Sequence, residues 1–274
     1  MPANIIPWIQ INDPLAGITG KPELPDLPGI IHVVVGAELF GFNSLIVTTH
    51  PKWYAGWGFL PDELDKLLPL KDRFQIIYGM TPPVAYDEQM DEWSGSPNSL
   101  WDVEGWQETM IPAIQKLIDF GERKILLDLE GPFRKGDYTE FSFDIFEIVK
   151  MLSDFDGVEF WFNLPRVMPN TDALPYRRYF THLLVQIFSE IPNAKFLNTA
   201  VAYKEQDEQS NTNMIATVGP DRLIDRIMVG DVEVGGKHYF PIAEAKAELQ
   251  NREGTQILWT GQEHFVRIAR QWND

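Results

Sequence analysis

Short β-branched or aromatic runs alternate with polar loops and amphipathic stretches along most of the chain. A fully buried strand shows as a continuous apolar run, whereas a helix places its apolar residues every three or four positions. Strands are expected at Ile30–Val35, Ser44–Thr49, Phe74–Tyr78, Lys124–Leu129, Val158–Asn163, Lys195–Ala200, Arg226–Val232 and Thr255–Trp259. Helical spacing fills most of the gaps from the third strand onward, at Glu104–Phe120 (closed by Gly121), Phe141–Asp154, Pro175–Glu190, Pro241–Asn251 and Gln262–Trp272. Strand–helix alternation of this kind implies parallel strands joined by right-handed crossovers. Eight such strands within 274 residues predict an α/β fold, a closed (β/α)8 barrel. An open doubly wound sheet is the alternative topology.

The start of the chain breaks the rhythm. Only eight residues separate Val35 from Ser44, too few for a helical crossover between parallel strands. Ile5–Ile11 is a ninth strand candidate, followed by a Pro-containing loop that runs through Pro28. The barrel is therefore expected to be irregular at its N-terminal strands, in a single domain over residues 1–274 with an N-terminal extension of about 1–29. The polar segment Lys204–Asn213 reads as a rim loop.

Composition narrows the chemistry. Hydrophobic residues make up 44% of the chain, enough for a sizeable core. The formal charge of −17 repels phosphate backbones and anionic membranes, so neither nucleic acid nor membrane is expected as a partner. With no cysteine, disulfides, thiolate metal sites and a cysteine nucleophile are excluded together. The N-terminus lacks a basic, then apolar leader, and no apolar run reaches membrane-spanning length. A soluble, by default cytoplasmic, protein is the expectation, with nothing to support an oligomer. Dinucleotide, P-loop, nucleophile-elbow and zincin motifs are all missing, and no two of the five histidines have metal-ligand spacing. No cofactor and no metal site are thus expected.

In a parallel barrel the chemistry sits at the C-terminal strand ends, and alternation along each strand decides which side chains share a face. In Leu126-Leu127-Asp128-Leu129-Glu130, the two carboxylates share a face with Leu126. Carboxylates ending an apolar strand are costly to bury unless paired or hydrogen-bonded. Asp128 fits either a structural or a functional role, and Glu130 at the rim fits a functional one. Val229-Gly230-Asp231-Val232-Glu233 repeats the arrangement on the seventh strand, although Glu233 could instead lie in the loop with Gly235 and Gly236. His50, Tyr78, Trp161, Asn163, Arg166, Asn198, Tyr203 and Trp259 are the expected substrate contacts, all at or just past strand ends. So many polar and aromatic residues where a structural barrel would carry Val, Ile and Leu point to a polar ligand pocket. Flat aromatic faces suit sugar rings, and carboxylates and amides suit their hydroxyls.

Acidic residues ending strands four and seven, with Trp259 ending strand eight, resemble the retaining glycoside hydrolases built on TIM barrels. The resemblance runs from about Ile30 to the C-terminus. It implies a glycosidase with a saccharide substrate, Glu130 as general acid/base and Asp231 or Glu233 as nucleophile. In the largest clan of that group Asn precedes the strand-four glutamate, and here Leu129 stands there. The D-x-E of Asp128 and Glu130 is also similar to families that draw both carboxylates from strand four, where Asp128 would orient or polarise Glu130. Two other classes stay open. In one, a metal-dependent isomerase, aldolase or phosphodiesterase uses the same carboxylates and His50 on Mg²⁺ or Mn²⁺. The other is a non-catalytic carbohydrate-binding or structural barrel.

Overall fold

The computed structural model describes residues 4–9, 30–49, 64–65, 67–80, 103–129, 141–164, 183–198, 201–204, 218–230, 233–234, 237–260 and 265–273. Its first half contains β1 (Asn4–Ile9), α1 (Ile30–Phe40), β2 (Ser44–Thr49), α2 (Leu68–Lys71) and β3 (Gln75–Met80). A helical turn α3 (Val103–Gly105) then runs through a π-helical segment (Trp106–Met110) into α4 (Ile111–Asp119). Next come β4 (Lys124–Asp128), α5 (Phe141–Ser153), β5 (Glu159–Asn163), a helix α6 over 183–190 and β6 (Lys195–Asn198). The chain closes with β7 (Leu223–Met228), the short β8 (Glu233–Val234) and β9 (Lys237–His238), α7 (Ile242–Gln250), β10 (Thr255–Trp259) and α8 (Phe265–Asn273).

Eight strands form a closed barrel in the order β1-β10-β7-β6-β5-β4-β3-β2, with parallel pairing at β1–β10, β1–β2, β10–β7, β4–β5 and β5–β6. The (β/α)8 fold read from the sequence is thus the fold observed. β2 and β10 have the expected bounds, and β3 to β6 differ by one or two residues at their ends.

Two expectations are corrected. Ile30–Val35 is helical, forming the first half of α1. The first barrel strand is instead β1, which lies within the stretch assigned to an N-terminal extension and pairs with both β10 and β2. A β-branched run concealed the helix, yet its buried positions Val33, Ala37 and Phe40 recur at helical spacing while Val35 and Leu39 face solvent. Gly41, with φ 69°, ends it: its N–H meets Glu38 and that of Phe42 meets the Ala37 carbonyl, the left-handed glycine stop of a helix.

The second correction concerns strand seven, which covers Leu223–Met228 rather than Arg226–Val232. Val229 forms an isolated bridge to Phe240, and Glu233 belongs to an antiparallel hairpin, opposite His238. Glu233 therefore lies off the barrel strand.

Contacts divide the chain into two compact units: Met1–Gly79 with Asn198–Gln206 and Ile224–Asp274, and Met80–Leu197 with Asp207–Leu223. In the first, Ile9, Leu45, Val47, Ile227 and Leu258 are buried at 0% exposure, and α1 lies against α8. Phe40, Phe42 and Trp272 cluster there, the two phenylalanines stacked at 4.7 Å. In the second, Phe160, Phe162 and Phe196 form a row along β5 and β6, with Phe162 and Phe196 stacked at 5.8 Å. Phe155, just past α5, meets Phe160 edge-on, so this row faces the helices and the alternate positions face the barrel interior. Among the described residues, no helix is long and apolar enough to cross a membrane.

Candidate functional site

The interior face of β4 and β5 follows from their register. Lys124 lies beside Glu159, Leu126 beside Trp161, and Asp128 beside Asn163 at the C-terminal ends. Leu126 and Trp161 are buried, at 0% and 3% exposure. The Trp161 indole N–H donates to Glu159 Oε1 at 2.6 Å, and the Lys124 ammonium stands 6.0 Å from the indole centroid. Trp161 is therefore a filler one step below the rim, tied toward the N-terminal end of the barrel rather than presented to a ligand.

At the rim, Asn163 Nδ2 donates to Asp128 Oδ1 at 2.6 Å, and the Leu129 N–H donates to the Asn163 carbonyl at 2.8 Å. The backbone bond sets the register of the two strand ends, and the side-chain bond satisfies one carboxylate oxygen. Asn163 is at 0% exposure, yet its Oδ1 has no hydrogen-bond partner among the described residues. The neighbouring Glu130 and Arg166, and also His50 and Asp231, lie outside the described residues, as does the side chain of Glu233.

The other unit contributes an aromatic cluster. Trp259 ends β10 half-exposed, and Tyr239 meets it edge-on at 5.7 Å, the two rings 85° apart. Tyr203, just past β6, lies 5.5 Å from Tyr239. Both tyrosines are half-exposed. The β8–β9 hairpin delivers Tyr239: the Lys204 N–H donates to the His238 carbonyl, and the Lys204 ammonium pairs with Glu244 at 2.9 Å. Two loops are thereby stitched together.

Trp8 is a rim residue that the sequence reading missed, because it was placed in an extension. It lies beside Trp259 and Ile46 in register, and its indole N–H donates to Thr48 Oγ1 at 3.0 Å. Gly79 admits it, since a Cβ there would stand 3.3 Å from Trp8 Nε1. Arg226, buried at 3% exposure, holds its guanidinium 5.9 Å from the Trp8 ring although β10 lies between their strands. Side chains two strands apart meet in this way only on the concave, inner face of a barrel.

Tyr78 and Asn198, expected at the site, are turned the other way. Gly79 faces Trp8 and Ile46, so Tyr78 on the opposite parity faces the helices. Asn198 shares parity with Phe196, and its Nδ2 donates to Asp225 Oδ1 at 2.9 Å. Asp225 also pairs with Arg252, which pairs in turn with Glu248. Alternation identifies which residues share a face, but it does not say which face is the interior. Among the expected site residues described, Asp128 and Asn163 thus lie at the inner C-terminal ends of β4 and β5 in one unit, and in the other Trp259 ends β10 with Tyr203, in the loop after β6, joined to it through Tyr239.

No protein-family model and no curated protein matches the chain. Solved structures do, at barrel level. A β-1,4-D-mannanase from Cryptopygus antarcticus aligns with TM-score 0.52 at 9% identity, covering 99% of this chain and 89% of that one. A family 2 AP endonuclease from Brucella melitensis aligns with TM-score 0.52 at 11% identity, covering 94% and 92%. A sugar phosphate isomerase/epimerase from Parabacteroides distasonis aligns with TM-score 0.50 at 12% identity, covering 89% and 86%. These likenesses place the chain among TIM-barrel folds.

Proposed function

We propose that this chain hydrolyses a glycosidic bond, with Glu130 as general acid/base and Asp231 or Glu233 as nucleophile. The observation that carries the reading is the half-exposed cluster of Trp259, Tyr239 and Tyr203 at the C-terminal end of β10 and in its neighbouring loops. Amphipathic rings with one wet edge suit a sugar, whose C–H faces are apolar and whose rim is hydroxylated. The chemistry requires one carboxyl to stay protonated for the leaving oxygen while its partner stays ionised. Asp128, two residues before Glu130 and held by Asn163, orients that acid in this reading. A separation of about 5.5 Å between acid and nucleophile gives retention, and roughly 6.5–9.5 Å gives inversion.

The second reading is a metal-dependent sugar isomerase or phosphodiesterase, supported by Asp128 as a rim oxygen donor of the kind Mg²⁺ and Mn²⁺ take. Sugar phosphate isomerase and endonuclease barrels align as well as the mannanase does. Reducing-sugar release from a broad glycan panel in EDTA separates the two. Release that persists in EDTA supports the hydrolase. No release from any glycan, with sugar isomerisation or phosphodiester cleavage that appears only on adding Mg²⁺ or Mn²⁺, supports the metal enzyme.

A further inference from the structure

The Asp128–Asn163 pair specifies what a ligand must present to it. Asn163 is fully buried, its Nδ2 is committed to Asp128 Oδ1 at 2.6 Å, and its Oδ1 has no partner among the described residues. A buried carbonyl oxygen without a donor is destabilising, and a ligand hydrogen relieves that cost. Beside it stands a carboxylate, which when ionised only accepts. The unpartnered acceptor at the end of β5, Asn163 Oδ1, calls for a ligand that donates.

We infer that this pair is a hydroxyl-recognition element, selecting an unphosphorylated sugar by accepting a hydrogen bond from one ring hydroxyl at Asn163 Oδ1. The inference rests on the saccharide reading for its ligand class, but not on hydrolysis. A phosphate group is the wrong partner here. Its oxygens only accept as the dianion, and they would face the Asp128 carboxylate at a part-buried contact, where like charges are less screened than in open water. The chain's net charge of −17 adds to that exclusion at long range.

The test is equilibrium binding, by calorimetry, of neutral gluco-, manno-, galacto- and N-acetylglucosamine disaccharides, of hexose 6-phosphates and of single-position deoxy analogues. Wild type and Asn163→Ala are compared. At least one neutral disaccharide is expected to bind, and Asn163→Ala to weaken it about tenfold. One deoxy analogue should lose the same factor against wild type and bind both proteins equally, because the two changes delete one contact. Should Asn163→Ala fail to fold, the deoxy series on wild type decides alone. The inference is overturned if a hexose 6-phosphate binds more tightly than its neutral parent. It is likewise overturned if no deoxy analogue loses affinity, or if no neutral sugar binds. Asn163-dependent binding without bond cleavage leaves this inference standing and defeats the hydrolase. Cleavage that is indifferent to Asn163 does the reverse.

Discussion

Trp8 shows how a single side chain is held at the rim. Its indole N–H has Thr48 as its hydrogen-bond partner, in a buried contact. Thr48→Val keeps the shape and removes the acceptor, so it should cost about 1–3 kcal/mol in urea unfolding; a loss under about 0.5 kcal/mol would show the indole to be satisfied elsewhere. Gly79 carries the complementary constraint. A Cβ at 3.3 Å from Trp8 Nε1 and 3.4 Å from Ile46 Cγ2 must push one of them, and Thr48 restrains the first. Gly79→Ala should therefore destabilise by about 1 kcal/mol and Gly79→Val by more, as overpacking does. Asp128 could be placed at the rim from alternation along an apolar strand alone. Trp8 could not, because its neighbour Trp259 is about 250 positions away in sequence and nothing local records that pairing.

At the scale of elements, legibility depended on whether composition and period agreed. They agree in β2 and β10, whose bounds were read correctly, and they conflict in α1. There Ile30, Ile31, Val33, Val34 and Val35 favour a strand by type, while burial of Val33, Ala37 and Phe40 follows a helical period. The two faces can be told apart by substitution. Val35→Lys, at 43% exposure, should change stability by less than about 0.5 kcal/mol. Ala37→Leu, at 0% exposure, should cost about 1–3 kcal/mol. A strand over these residues would not separate the two in this way. The end of β7 was misread because Arg226–Val232 stays β-branched past Met228, while the pairing that ends the strand comes from Phe240.

A second element-scale device ties α7 to the barrel. Arg252 bridges Asp225 on β7 and Glu248 on α7, with Asn198 on the same Asp225 carboxylate. Burial lowers the Arg252 pKa, but the hydrogen bonds and charges of Glu248 and Asp225 outweigh it and raise the value above the ordinary one. A raised folded-state value stabilises below the unfolded pKa and is lost only as pH climbs through the folded one. The clasp should thus keep its full contribution through neutral pH. Arg252→Met should destabilise by about 2 kcal/mol, leaving two carboxylates without their cation; thermal unfolding at neutral pH measures it.

For the whole molecule, the alternation of strand and helix patterns sufficed to give the closed barrel, because seven crossovers of one hand leave few other arrangements. The chemistry was less legible. A barrel of this kind carries many reactions, and the mannanase, endonuclease and isomerase that align with it differ in what they do. The two readings proposed for this chain differ in the role they give Glu130, the carboxylate two residues past Asp128. The most direct measurement compares wild type with Glu130→Ala on two glycosides of one sugar, an unactivated alkyl glycoside and an aryl glycoside with an acidic leaving group. A poor leaving group needs its oxygen protonated and a good one does not. As general acid, Glu130 should cost kcat/KM about 10²–10⁴-fold on the alkyl glycoside when removed, and far less on the aryl one. Equal loss on both substrates, or none on either, would contradict the assignment.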